Sequence, residues 1–210
     1  MKVFLQEEKY ILEVLPVGML GTNCYILMNE NTKEAIVVDP GAEAEKIISV
    51  LQEMEAKVNY ILNTHGHWDH IGANAIVKDT VLAPLYIHQE DEIMLSQPSP
   101  YGKSYGGRPD KYLHNEDILP FGEVFIKVLH TPGHTKGGVS FLVDKLLFAG
   151  DTLFEGSIGR TDLGGGSYEV LMDSIQNQLM VLPDDTIVLP GHGSATTIGI
   201  ERANNPFLRV

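Results

Sequence analysis

The segment Thr64-His65-Gly66-His67-Trp68-Asp69-His70 concentrates three imidazoles and a carboxylate within six consecutive residues. In extended chain, side chains two apart point the same way, so His65 and His67 can reach one metal ion together. A turn into helix near Asp69 would swing Asp69 and His70 toward a neighbouring position. Gly66 lets the backbone bend closely around such a site. Imidazole nitrogen and carboxylate oxygen are donors that zinc, iron and manganese accept.

Three more residues of the same kind occur farther along, each just after an expected strand and each beside a glycine. His134 stands in Thr131-Pro132-Gly133-His134-Thr135, Asp151 in Ala149-Gly150-Asp151-Thr152, and His192 in Pro190-Gly191-His192-Gly193. Taken singly, a histidine next to glycine is an ordinary loop residue, and Asp69 or Asp151 is an ordinary helix cap. Seven such residues at four strand ends are a joint pattern that those readings do not explain. His88, His114 and His130 lack this context and read as structural or surface residues.

The surrounding chain supplies the frame. Tyr10–Val17, Cys24–Met28 and Ala35–Asp39 are β-rich runs separated by Gly, Asn and Thr, the pattern of an antiparallel meander. Over 42–57, Ile47, Ile48, Leu51 and Met54 recur at helical spacing with acidic residues in the first turn. Val58–Leu62 is a buried strand running into His65. A short helix over Ala73–Val77 and strands at Pro84–His88, Glu123–Leu129, Val139–Val143 and Lys145–Ala149 follow. The spacing predicts a helix over Tyr168–Val181 and a last strand at Thr186–Leu189. Two rounds of strands with helix and strand suggest two sheets face to face, with helices outside. Ser96–Pro120, rich in Gly, Pro, Ser and Tyr, reads as one long functional loop.

Composition narrows the class. The chain has 210 residues, 43% hydrophobic and 20% charged, the mixture of one globular domain spanning 1–210. Its net charge of −13 disfavours nucleic-acid partners, whose affinity comes largely from Lys and Arg. Glu7, Glu8, Lys9 and Glu13 interrupt any apolar leader, and no apolar run reaches the roughly 20 residues a bilayer requires. A cytoplasmic protein with no membrane partner and a small-molecule substrate is expected. The single cysteine, Cys24, excludes an internal disulfide and reads as a buried small hydrophobe.

With these motifs assembled, the chain resembles the metallo-β-lactamase superfamily, and within it the short, single-domain glyoxalase II-like (hydroxyacylglutathione hydrolase-like) enzymes. The resemblance rests on His65-Gly66-His67-Trp68-Asp69-His70, Pro132-Gly133-His134-Thr135, Gly150-Asp151-Thr152-Leu153-Phe154 and Gly191-His192-Gly193. Val38-Asp39-Pro40-Gly41 and Asn205-Pro206-Phe207 also match. It implies an α/β fold, a four-layer αββα sandwich with a metal site at one edge. It implies two divalent ions, zinc foremost with iron or manganese as alternatives. His65, His67 and His134 would hold the first, Asp69, His70 and His192 the second, and Asp151 would bridge them. Asp39 would support the metal loop from behind.

The activity so implied is hydrolysis of a small thioester or ester by a metal-bound hydroxide that Asp69 orients. Antibiotic-hydrolysing metallo-β-lactamases commonly carry a cysteine where this chain has Asp151, which argues against that substrate. Glyoxalase II enzymes continue into a helical C-terminal domain, whereas only 18 residues follow His192 here. Tyr105 and Arg160, with Tyr101, Lys103 and Arg108, are the candidate substrate contacts. The alternative is a mononuclear iron persulfide dioxygenase using His65, His134 and Asp151. A non-catalytic metal-binding module and a nuclease are further readings. The sequence leaves oligomeric state open.

Overall fold

The computed structural model describes residues 2–5, 8–98 and 106–209. Among these, two sheets carry the architecture. The first is ordered β1 (Lys2–Leu5), β2 (Glu8–Val17), β3 (Thr22–Asn29), β4 (Glu34–Val38), β5 (Lys57–Leu62), β6 (Leu85–His88) and β7 (Lys111–Leu113). The second, from one edge to the other, is β15 (Thr196–Thr197), β14 (Ile187–Pro190), β11 (Leu146–Gly150), β10 (Val139–Val143), β9 (Val124–His130) and β8 (Ile118–Phe121). A small hairpin, β12 (Leu153–Phe154) with β13 (Ser157–Ile158), stands apart.

The two-residue side-chain period sorts each strand's residues into layers. Tyr25 and Leu27 of β3, Ile36 and Val38 of β4, and Leu62 of β5 face Val128, Phe141, Phe148 and Leu189 of the second sheet. Their alternates Cys24, Ile26, Val37 and Ile61 pack outward against Ile47 and Leu51 of α1 (Ala44–Glu53) and Val77 of α3 (Asn74–Val81). On the far side, Leu147, Ala149 and Val188 meet Leu171 of α4 (Tyr168–Ser174), Ile175 and Leu179 of the π-helical turn continuing it, and Ile198 of α5 (Ile198–Asn204). The result is an αββα sandwich. Cys24 is buried, and burial raises its thiol pKa far above the usual range, as expected of a small apolar filler.

The meander of β2, β3 and β4 is antiparallel, and β4, β5, β6 and β7 then run parallel. Parallel crossovers bring β4, β5 and β6 to their C-terminal ends at one rim, and β9, β11 and β14 end at that same rim. The opposite rim carries the turns at 30–33, 122–123 and 144–145.

Two expectations need correction. The 96–120 stretch is not structureless: Lys111–Leu113 adds an edge strand to the first sheet and Ile118–Phe121 one to the second. Strands this short carry too few residues for periodicity. The helix expected over Tyr168–Val181 is α-helical only to Ser174 and then passes through the π turn Ile175–Leu179. No helix among the described residues is long and apolar enough to cross a membrane.

Candidate metal centre

Four strand ends deliver the seven residues. From β5 the chain runs through Asn63 and Thr64 into His65 and His67. Extended at His67 (φ −64°, ψ 144°), it then starts the short helix α2 (Trp68–Ile71), whose first turn holds Asp69 and His70. His134 follows β9, Asp151 follows β11 and His192 follows β14. The centre thus lies in the seam between the two sheets. Cross-seam hydrogen bonds fix it: Thr64 O accepts Val139 N–H at 2.8 Å, and Pro190 O accepts the Tyr25 hydroxyl at 2.6 Å.

The structure groups these residues into two adjacent sets. One ligand atom from each of His65, His67 and His134 lies within 4.8 Å of the others, and the same holds for Asp69, His70 and His192. The Asp151 carboxylate lies between the sets. Its Oδ2 is 3.4 Å from His134 Nε2 and 3.7 Å from His192 Nε2, while Oδ1 is 3.4 Å from His70 Nε2. Gly191 makes this approach possible, since a Cβ there would collide with Asp151 Oδ1 and lie 2.7 Å from His70 Cε1.

Outward-facing partners hold four of the five rings. His70 Nδ1 pairs with Asp39 Oδ2 at 2.9 Å, His134 Nδ1 with Arg160 O at 2.7 Å, and His192 Nδ1 with Leu20 O at 3.2 Å. His65 Nδ1 lies 3.1 Å from Thr64 Oγ1, whose hydroxyl donates to Asp39 Oδ2 at 2.6 Å. For His65 and His134 this commits the Nδ1 proton outward and leaves Nε2 as a lone pair aimed inward, and for His70 and His192 it does so once the ring gives up its Nε2 proton. Three atoms there are buried without any hydrogen-bond partner: His65 Nε2, His70 Nε2 and Asp151 Oδ1. Buried polar atoms ordinarily have partners. Convergent orphaned imidazole nitrogens and a carboxylate oxygen are the donor set of a divalent cation. Asp39 also lies near His65 and His70, but its oxygens are taken by Thr64 N–H, the Thr64 hydroxyl and His70 Nδ1, which makes it a support.

The electrostatics divide the same residues. Burial, reinforced by the neighbouring histidines, pushes His65 well below the usual imidazole range and His67 down to about 4. For His70 burial acts downward too, but Asp151, Asp39 and Asp69 outweigh it and raise the ring to about 9. His192 is likewise opposed by burial and raised by Asp69 and Asp151. Burial acts to raise Asp69, yet the His192 hydrogen bond, His70 and the Thr22 hydroxyl hold it below the ordinary carboxylate range.

The candidate substrate contacts fare differently. Arg160 is exposed, and its guanidinium is paired with Asp162 at 3.0 and 2.9 Å, while its carbonyl anchors His134. Arg108 is exposed, and its carbonyl accepts from Lys78 Nζ. Tyr101, Lys103 and Tyr105 lie outside the described residues. His88 and His130 stack at 4.3 Å, and His114 is exposed beside Asp117, so all three stand apart from the two sets. Sequence reasoning missed Thr22, whose hydroxyl donates to Asp69 Oδ2 at 2.9 Å, and Asp91, buried among the loops.

The sequence profile of the Metallo-beta-lactamase superfamily matches residues 17–192. The chain belongs to this superfamily. A Haemophilus influenzae relative named hydroxyacylglutathione hydrolase GloC is 38% identical, over 94% of this chain and 97% of that protein. Among solved structures, BLEG-1 B3 metallo-beta-lactamase superposes with a TM-score of 0.90 at 42% identity, covering 94% of this chain and 99% of that one. TTHA1623, solved in a di-iron-bound form, gives 0.84 at 35% identity, covering 93% and 100%. These likenesses agree with the αββα architecture and with the metal-centred chemistry of the superfamily.

Proposed function

We propose that this metallo-β-lactamase-fold chain hydrolyses small thioesters or related esters in the manner of glyoxalase II. His65, His67 and His134 would hold one divalent ion, Asp69, His70 and His192 a second, with Asp151 shared. The observation that carries this reading is the convergence of the orphaned His65 Nε2, His70 Nε2 and Asp151 Oδ1. The 38% identity to the Haemophilus hydroxyacylglutathione hydrolase supports a thioester. Zinc is the occupant we assign; the di-iron form of TTHA1623 supports iron as an alternative.

Divalent ions in such a site supply Lewis-acid activation of water and of the acyl oxygen. The chain's own residues do the rest. Asp69, kept ionised by its neighbours, is an acceptor that orients the attacking water. His65 and His70 are sealed, whereas His67 and His192 are half-buried, so substrate approaches from the His67 and His192 side. Phe154, 6.4 Å from the His192 ring, walls that approach. A thiolate leaves with little acid assistance, because a free thiol has a pKa of about 8.5.

The test is turnover of S-lactoylglutathione and simple acyl thioesters by metal-replete protein, followed as loss of thioester absorbance. Hydrolysis is the expected result. Oxygen uptake with glutathione persulfide and no hydrolysis would replace this reading with the iron dioxygenase. Cleavage of a β-lactam with inert thioesters would replace it with the chemistry BLEG-1 is named for.

A further inference from the structure

Gln89-Glu90-Asp91-Glu92 carries three carboxylates in a row, and Glu90 and Glu92 are exposed. Asp91 is nonetheless only 1% exposed. It stands on the 3-10 helix Gln89–Ser96 that follows β6 and is capped by His88, whose Nδ1 accepts Glu90 N–H at 3.3 Å. Its carboxylate is bonded on both oxygens. Oδ2 accepts Gly66 N–H at 3.0 Å and the Thr135 hydroxyl at 2.7 Å, and Oδ1 accepts Gly137 N–H at 2.8 Å. All three partners present hydrogens, the demand an acceptor-only group meets.

The identity of the partners matters. Gly66 separates His65 from His67, while Thr135 and Gly137 lie one and three residues after His134. One carboxylate therefore ties the loop leaving the first sheet at β5 to the loop leaving the second sheet at β9. Contact with the tie is close. A Cβ on Gly137 would come within 2.7 Å of Asp91 Cγ and Oδ1, and one on Gly66 within 2.9 Å of Asp91 O. None of these bonds reaches the other set. Asp69 is held by Thr22, His70 by Asp39 and His192 by Leu20.

We propose that Asp91 is a positioning residue that fixes the distance between the His65/His67 pair and His134, and so tunes one of the two metal positions selectively. This rests on the reading that those histidines hold an ion. Groups that hydrogen-bond metal ligands directly are worth about 10–100-fold in metal affinity, and Asp91 acts through the backbone on either side of the ligands.

The experiment is titration of metal-free protein with Zn2+ against a competing chelator, resolving two affinities, for the parent, Asp91→Asn and Thr135→Val. His134→Ala and His192→Ala mark which affinity belongs to which set. Asp91→Asn should weaken the position lost in His134→Ala by about 10-fold, the lower end of that range, and leave the other within about threefold. Its effect should be non-additive with His134→Ala and additive with His192→Ala. Thr135→Val, which removes one of the three bonds, should give a smaller loss at the same position. It carries the test should Asp91→Asn fail to fold. Unchanged affinities in the variants, or equal weakening of both positions, would overturn the proposal while leaving the metal reading intact. A parent that binds no Zn2+ would overturn both, and the parent titration alone reveals that case.

Discussion

Replacing Asp39 with asparagine tests how the centre is held from behind. The Asp39 carboxylate accepts three hydrogen bonds: Thr64 N–H at 2.8 Å on Oδ1, and the Thr64 hydroxyl at 2.6 Å and His70 Nδ1 at 2.9 Å on Oδ2. Asparagine offers one acceptor and one donor in the same space. With its amide nitrogen toward Thr64, two N–H groups face each other. With the nitrogen toward His70, the ring must give up its Nδ1 proton and keep one only on Nε2, the atom that faces the other ligands. Either way at least one buried group is left unsatisfied, at about 1–3 kcal/mol, and His70 loses an anionic partner. The metal-free variant should therefore be destabilised by about 2 kcal/mol or more, read as a shift in denaturant midpoint at unchanged slope. The pH dependence follows from sign. His70 is raised to about 9 in the folded chain, above the ordinary value of about 6.5. Its stabilisation is complete below about 6.5 and lost as pH rises through about 9. In Asp39→Asn the folded value falls, so the loss should still begin at about 6.5 but be smaller and finish at lower pH. A variant within about 0.5 kcal/mol of the parent, with the same pH profile, would refute the argument.

Three further outcomes are expected. Asp151→Ala should abolish turnover yet retain the fold by circular dichroism; near-parental activity in a folded, metal-depleted variant would exclude the shared-carboxylate arrangement. Apparent Zn2+ affinity should climb between about pH 6 and 9 with measurable proton release, because His70 and His192 must lose protons while His65 and His67 are already neutral; a flat profile would contradict those assignments. Arg160→Ala should leave the melting temperature within about 1 °C, since an exposed pair such as Arg160–Asp162 contributes little. A raised KM with unchanged kcat would assign its side chain to substrate binding, and unchanged kinetics would remove it from the candidates.

Much of this was legible because the signals are local. Ligand types at a spacing of two, glycines beside them and β-rich runs before them place His65, His67, Asp69, His70, His134, Asp151 and His192 at strand ends without tertiary information. The facing sheets followed from the two rounds of strands with helix and strand, whereas the continuous apolar run Cys24–Met28, buried on both faces, does not say which residue meets which layer. Asp91 was not legible, because its meaning depends on a 3-10 helix that turns one acidic residue inward while Glu90 and Glu92 beside it lie nearer solvent. Thr22 was hidden for the same reason: its partner Asp69 is 47 residues away. Helix α5 was not expected from the sequence. Thr197 caps it by accepting Ile200 N–H, and Glu201 then binds Thr196 and Asn205. Seven residues are too few for a periodic signal.

The strand directions have a practical consequence. Every candidate ligand leaves a strand at its C-terminal end, so the turns at 30–33, 122–123 and 144–145 sit a full strand length from the chemistry. A tether, fluorophore or immobilising tag placed at the exposed Asp144–Lys145 reversal would present the protein to a surface by its inert end. Immobilised molecules would all turn the same open face to the bathing solution, and substrate access would be set by the molecule rather than by how it was mounted.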